Sequence, residues 1–240
     1  MLVAAAVCPC PPLLVPRLAG AAAPELAGLR EACAGAVRSL TRSAPDALLV
    51  VGGAETAESY DSGAGGTFAP WGADVRVGEG PPVLPLSLTV GRWLLDLAGA
   101  GCPSGYEAVP CDAATRECLR LGALLAGRAP RVALLVVGDG SARLAAHSPG
   151  YLHPRAAPYD AALTAALAAA DVPALAALDP AEADELWVGG RAAFQVLAGA
   201  AAAGGADAPA FRGQLLHHQA PYGVGYPVAR WTRQDPGGAS

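Results

Sequence analysis

Three short apolar runs stand out from the chain: Leu2 to Val7, Ala47 to Val51 and Arg131 to Val137, the last reading RVALLVV. Each is short and almost free of polar residues, as expected of a strand buried on both faces. Pro9, Pro11 and Pro12 should end the first, because proline has no N–H to give to a ladder. Gly52-Gly53 should end the second, and Gly138-Asp139-Gly140-Ser141 the third.

Between the runs the apolar spacing turns helical. Leu26, Leu29, Cys33, Val37 and Leu40 predict a helix that starts after Pro24, with Glu25 in its first turn. Further helices are expected over Leu86–Leu97, Ala113–Ala126, Tyr159–Ala170 and Arg191–Ala202, with a short acidic segment opened by Pro180. Asp112 is placed to cap the second of these, and Cys118, Leu121 and Leu125 share its apolar side. The stretch from Glu55 to Gly80 reads as a long loop leading into a strand near Ala73–Val77, a length often associated with function. "GAGCPSGYEAVPCD" reads as a turn, a short extended piece and a turn. The segment ending GGADAPA reads as a linker, and "FRGQLLHHQAPYGVGYPVARW" as two extended pieces joined by Pro-Tyr-Gly.

Apolar strands alternating with helices predict an α/β fold: a single domain with a mixed, mostly parallel central sheet flanked by helices. The C-terminal pieces would add antiparallel strands. The domain is expected over residues 1–232, with 233–240 as a frayed tail.

Composition narrows the classes of function. The chain has 240 residues, 53% of them hydrophobic and 15% charged, which suits one large core. A net charge of -5 and arginines scattered along the sequence argue against a nucleic-acid partner. The apolar start is broken by prolines and lacks a basic leader, and no uninterrupted apolar stretch is long enough to span a bilayer. The expected setting is therefore cytoplasmic, with no membrane partner. Six cysteines, at 8, 10, 33, 102, 111 and 118, are not needed as staples in a core of this size.

In an open α/β sheet, ligands gather beyond the carboxyl ends of the strands. The reactive groups nearest those ends are Cys10, Glu55 and Asp139, and Ser141, Arg143, His147 and His153 follow on the last loop. Cys10, Glu55 and Asp139 could together hold a divalent ion, and zinc accepts such S and O donors. Asp139, Ser141, Arg143 and His147 are the catalytic candidates. Each also has a plain reading. Cys8 and Cys10 could pack beneath a helix, Asp139 could close an Asx-turn, and Arg143 could neutralise Asp139 or Glu55. His217 and His218 are adjacent on an extended piece, so alternation should send them to opposite faces. No P-loop or nucleophile elbow is present.

The order of several segments resembles one family. "CPCPPLLVP", "PDALLVVGG", "GTFAPWG", "VVGDGSARLAAHSPGYLHPRAAPYDAAL", "LDPAEADELWVGGRAAFQVLAGA" and "PYGVGYPVARW" are together similar to the catalytic B-subunit domain of class III extradiol ring-cleavage dioxygenases and their MEMO-like relatives. The resemblance implies an Fe(II) site of two histidines and a glutamate, a separate acid/base histidine, a catechol substrate and, in some members, a second subunit or homo-oligomer. Here Cys10 stands at the first histidine ligand and Ala54 at the second. Ala142 stands at the acid/base histidine and Trp187 at the glutamate. A facial triad needs its imidazoles and its carboxylate, so these departures imply a dismantled ferrous site. No cofactor is expected, and the retained cleft would bind a small molecule or a partner. The alternative is an active metal-dependent oxidoreductase, or another metalloenzyme using a rebuilt site.

Overall fold

The computed structural model describes residues 1–205 and 210–234. Its elements run in chain order as strands β1 (Leu2–Cys8), β2 (Ala47–Ala54), β3 (Glu58–Asp61), β4 (Gly66–Thr67), β5 (Arg76–Val77), β6 (Gly105–Pro110), β7 (Val132–Val137), β8 (Phe211–Gln219) and β9 (Tyr226–Arg233). The α-helices are α1 (Pro16–Ala19), α2 (Ala27–Arg42), α3 (Leu86–Ala98), α4 (Thr115–Ala126), α5 (Ala156–Ala169), α6 (Val172–Ala176), α7 (Pro180–Glu185) and α8 (Arg191–Ala202).

Among the described residues, seven strands form one sheet in the order β3-β6-β2-β7-β1-β9-β8. The pairs β6/β2, β2/β7 and β7/β1 are parallel, and β3, β9 and β8 join antiparallel. This is the mixed, mostly parallel single-domain α/β sheet expected from the strand and helix pattern. The alanine-rich β1 is buried along its whole length at the centre, between β7 and β9. Two apolar layers cover the sheet. One packs α4, α5, α6 and α8 against one face, and the other packs α2 and α3 against the opposite face.

Several boundaries differ from expectation for identifiable reasons. Gly52-Gly53 does not end β2, which continues to Ala54. A Cβ at Gly52 would come 2.5 Å from the Ser87 hydroxyl, so glycine there admits α3 to close contact with the strand. Asp112 does not cap α4. The helix begins at Thr115, and its N-cap, Ala114, makes no side-chain cap bond. The short extended piece within "GYEAVP" is β6, a strand of the main sheet, and the supposed long loop carries β3 and the small β4/β5 pair. Helix α5 starts three residues ahead of Tyr159. Asp179 caps the segment opened by Pro180, its carboxylate accepting the Glu182 N–H at 2.8 Å.

Arg233 still belongs to β9, one residue into the expected tail. The rest of that tail from residue 235, and residues 206–209 of the expected linker, lie outside the described residues. No helix among the described residues is long and apolar enough to cross a membrane.

Candidate functional site

The chain leaves β1 through the rigid Pro9-Cys10-Pro11-Pro12 segment and leaves β7 through Gly138-Asp139-Gly140. Parallel pairing of the two strands sets Cys8 beside Val137. The Gly138 N–H then donates to the Cys8 carbonyl at 2.9 Å, and the Cys10 N–H donates to Asp139 Oδ1 at 2.8 Å. Cys10 and Asp139 are thus brought together as their positions at strand ends implied.

The electrostatics at this point favour protonated groups. Burial pushes the Asp139 carboxyl up to about 6, against the hydrogen bonds from Cys10 that favour its anion. Burial, and then the adjacent Asp139 and Cys111, push the Cys10 thiol well above its usual range. Tyr226 is also buried here, and its phenol is raised by that burial and then by Asp139 and Cys10. Burial therefore favours the Cys10 thiol over the thiolate, which is the nucleophilic form.

The other candidates lie elsewhere. Glu55 is exposed on the rim of a separate hollow. Among the described residues, no three His, Cys, Asp or Glu side chains form a group able to hold a metal ion. Ser141 is completely buried, its hydroxyl donating to the Leu186 carbonyl at 2.7 Å and its N–H to Asp160 Oδ1 at 3.1 Å. It ties the β7 exit loop to the end of α7. Arg143 pairs with neither Asp139 nor Glu55, because its guanidinium donates to the Glu185 carbonyl at 2.9 Å. His147 is exposed on the loop. His153 instead meets Glu185, 3.2 Å away. His217 and His218 do face opposite ways: the His217 ring lies toward Gly28 on α2, whereas His218 Nε2 meets the buried Asp160 carboxylate of α5 at 2.6 Å.

The four positions that the family resemblance assigns to iron chemistry do not fit a facial triad. Cys10 offers a sulfur where the triad needs an imidazole nitrogen, Ala54 and Ala142 have no donor, and the indole of Trp187 offers only an N–H. Trp187 lies outside the core. Its side chain is 54% exposed, and its backbone adopts φ 54° directly after α7.

A different arrangement surrounds Cys111, at the end of β6. Gly53 admits this end closely: a Cβ there would lie 3.0 Å from Cys111 Sγ and 3.1 Å from the Gly189 carbonyl. Two hollows adjoin at Cys111 and Asp112. One, of about 760 Å³, is bordered by Trp71, Tyr60, Leu86 and Glu55. The other, of about 560 Å³, is bordered by Trp187, Val188, Pro180 and Asp184. Trp71 is 41% exposed, so both hollows carry an open indole. Arg191, buried at 2% exposure, is part of the wall of this second hollow, its guanidinium donating to the Cys111 carbonyl at 2.6 Å and to that of Ala113. It braces the ends of β6 and α4, and leaves Glu55, Asp112 and Asp184 as the exposed charges of the cleft.

The sequence alone does not single out Cys111, Asp112 or Trp71 as site residues. The signal for the first two was the strand character of "GYEAVP", masked by Glu107 and by a proline at its end.

Fold and site together define an α/β protein with an aromatic, acidic cleft at the carboxyl edge of its parallel strands. No protein-family model matches the chain, and no curated protein matches it. Among solved structures it is similar to the uncharacterized protein JW3007 from Escherichia coli K12, at 13% identity and a TM-score of 0.56, over 96% of this chain and 99% of that one. At that identity the likeness is one of fold.

Proposed function

We propose that this chain is a divergent protein of extradiol-dioxygenase-like descent, in which the ferrous site has been dismantled and the cleft beside it binds a small planar molecule. The observation that carries the reading is the pair of exposed indoles, Trp71 and Trp187, on hollows that meet at Cys111–Asp112. Indole faces provide stacking surface for a flat ligand at little conformational cost. The order of sequence segments supports the descent, and the residues at positions 10, 54, 142 and 187 support the loss of iron chemistry.

The exposed carboxylates select against anions. A neutral or cationic aromatic is favoured, and a cation can also sit against an indole face. The test is a titration of the protein with benzylamine and with benzoate, followed by tryptophan fluorescence. The expected result is saturable quenching by the amine, lost in Trp71→Ala and Trp187→Ala variants, and none by the carboxylate. Equal responses to both probes, or a response that survives both substitutions, would overturn the reading.

A further inference from the structure

The basic residues of this chain are all arginines, 16 of them, and they are far apart in sequence. The fold gathers five, Arg42, Arg131, Arg212, Arg230 and Arg233, around one hollow of about 620 Å³. It lies at the opposite edge of the sheet from the aromatic cleft. Arg42 is the last residue of α2, Arg131 immediately precedes β7, and Arg233 ends β9. Antiparallel pairing sets Arg212 opposite Thr232 and Gln214 opposite Arg230. Arg212 and Arg230 are therefore diagonal neighbours on one face of the β8/β9 hairpin, where like charges repel.

Some of these charges have structural duties. Arg131 donates to the carbonyls of Ser43 and Ala44, at the carboxyl end of α2. Arg230 donates twice to Gln214 Oε1, at 3.0 and 2.7 Å. Arg233 lies over the Phe211 ring, 5.4 Å from its centre, and its Nε is buried without a partner. None of these bonds neutralises a charge. Among the described residues, none of the five takes part in an ion pair. Asp46, which borders this edge, accepts the backbone N–H of Arg131 at 2.9 Å.

Such a concentration of positive charge, in a chain with 21 acidic residues, creates a local potential that a bound anion would relieve. Guanidinium forks match phosphoryl oxygens, and the hollow has the volume of a small-molecule site. We propose that this hollow is a binding site for a small phosphorylated anion, its phosphoryl oxygens seated between Arg212 and Arg230, with Arg42 on the facing wall. The site is independent of the aromatic cleft and of the reading given to it.

The test is calorimetric titration of the full chain with pyrophosphate and with ADP, in the wild type, in an Arg212→Gln/Arg230→Gln double variant, in Arg42→Gln, and in Arg116→Gln as a control on a distant helix. Saturable binding of at least one probe is expected. It should weaken about tenfold or more in the double variant and fall as salt is raised. Arg42→Gln should weaken it by a smaller factor, and Arg116→Gln should leave it unchanged. Equal affinity for the two probes assigns the site to the diphosphate group itself, and tighter ADP binding assigns it to a nucleotide. The ligand-free thermal midpoint of each variant, expected to match the wild type, shows that the fold is retained. Absence of saturable binding to either probe, or equal binding by the wild type and the double variant, would overturn the proposal.

Discussion

The backbone N–H of Cys10 donates to the Asp139 carboxylate at 2.8 Å, and this bond ties the exits of two adjacent parallel strands that are 129 residues apart. A metal centre at the same place would need the thiol deprotonated and the carboxylate free to ligate. The protein instead buries both, which raises the cost of charging either; Asp139 adds to that cost at Cys10, whereas the hydrogen bonds from Cys10 favour the Asp139 anion.

Stability should follow the titration of Asp139. Its native value, about 6, lies above the unfolded 3.8, so the native state binds the proton more tightly. The resulting stability is fully present below pH 3.8 and is lost as pH rises through 6, a difference of about 3 kcal/mol at most. Asp139→Asn keeps an acceptor for the Cys10 N–H and removes the charge. Urea unfolding at pH 4.0 and pH 8.0 should show the variant gaining on the wild type only at the higher pH. An equal difference at both values would show that Asp139 does not titrate between them.

Trp187 should be costly to stability and necessary to binding. It occupies the left-handed position that closes α7, where the Val188 N–H returns to the Ala183 carbonyl at 2.8 Å, and glycine is the residue that position favours. Trp187→Gly should stabilise the fold by about 1 kcal/mol while abolishing the benzylamine response. A variant that loses stability by that amount would show the indole to be a packing residue.

The α4/α8 contact should be intolerant of a single methyl group. A Cβ at Gly122 would run into the Val196 carbonyl, and one at Gly199 into the Leu119 carbonyl, so each helix presents its glycine to the other's backbone. Gly122→Ala and Gly199→Ala should each cost about 1–3 kcal/mol. The double variant should cost less than the sum, because the first substitution already separates the helices. Chemical denaturation of the four proteins measures this directly.

The legibility of the fold tracked burial on both faces. β1, β2 and β7 are apolar throughout and could be read from the sequence. β6 was legible only as a short extended piece, because it carries Glu107, buried at 5% exposure, which Arg128 neutralises at 2.7 Å and to which the Ser59 hydroxyl donates at 2.6 Å. β3 is a polar edge strand with no apolar signal. At the candidate site, the meeting of Cys10 and Asp139 followed from their places at strand ends. The pairing of Asp160 with His218 and the gathering of the five arginines did not, since each depends on the sheet order. Glu55 was misplaced with Cys10 and Asp139 because β2 runs on through Gly53 to Ala54 and sets it on the exposed rim.

Loss of the ferrous site is tested most directly by anaerobic titration with ferrous iron, followed by desalting, metal analysis and exposure to catechol and oxygen. The protein should retain far less than one iron per chain and leave the catechol ring intact. One tightly retained iron per chain, with ring opening, would contradict it.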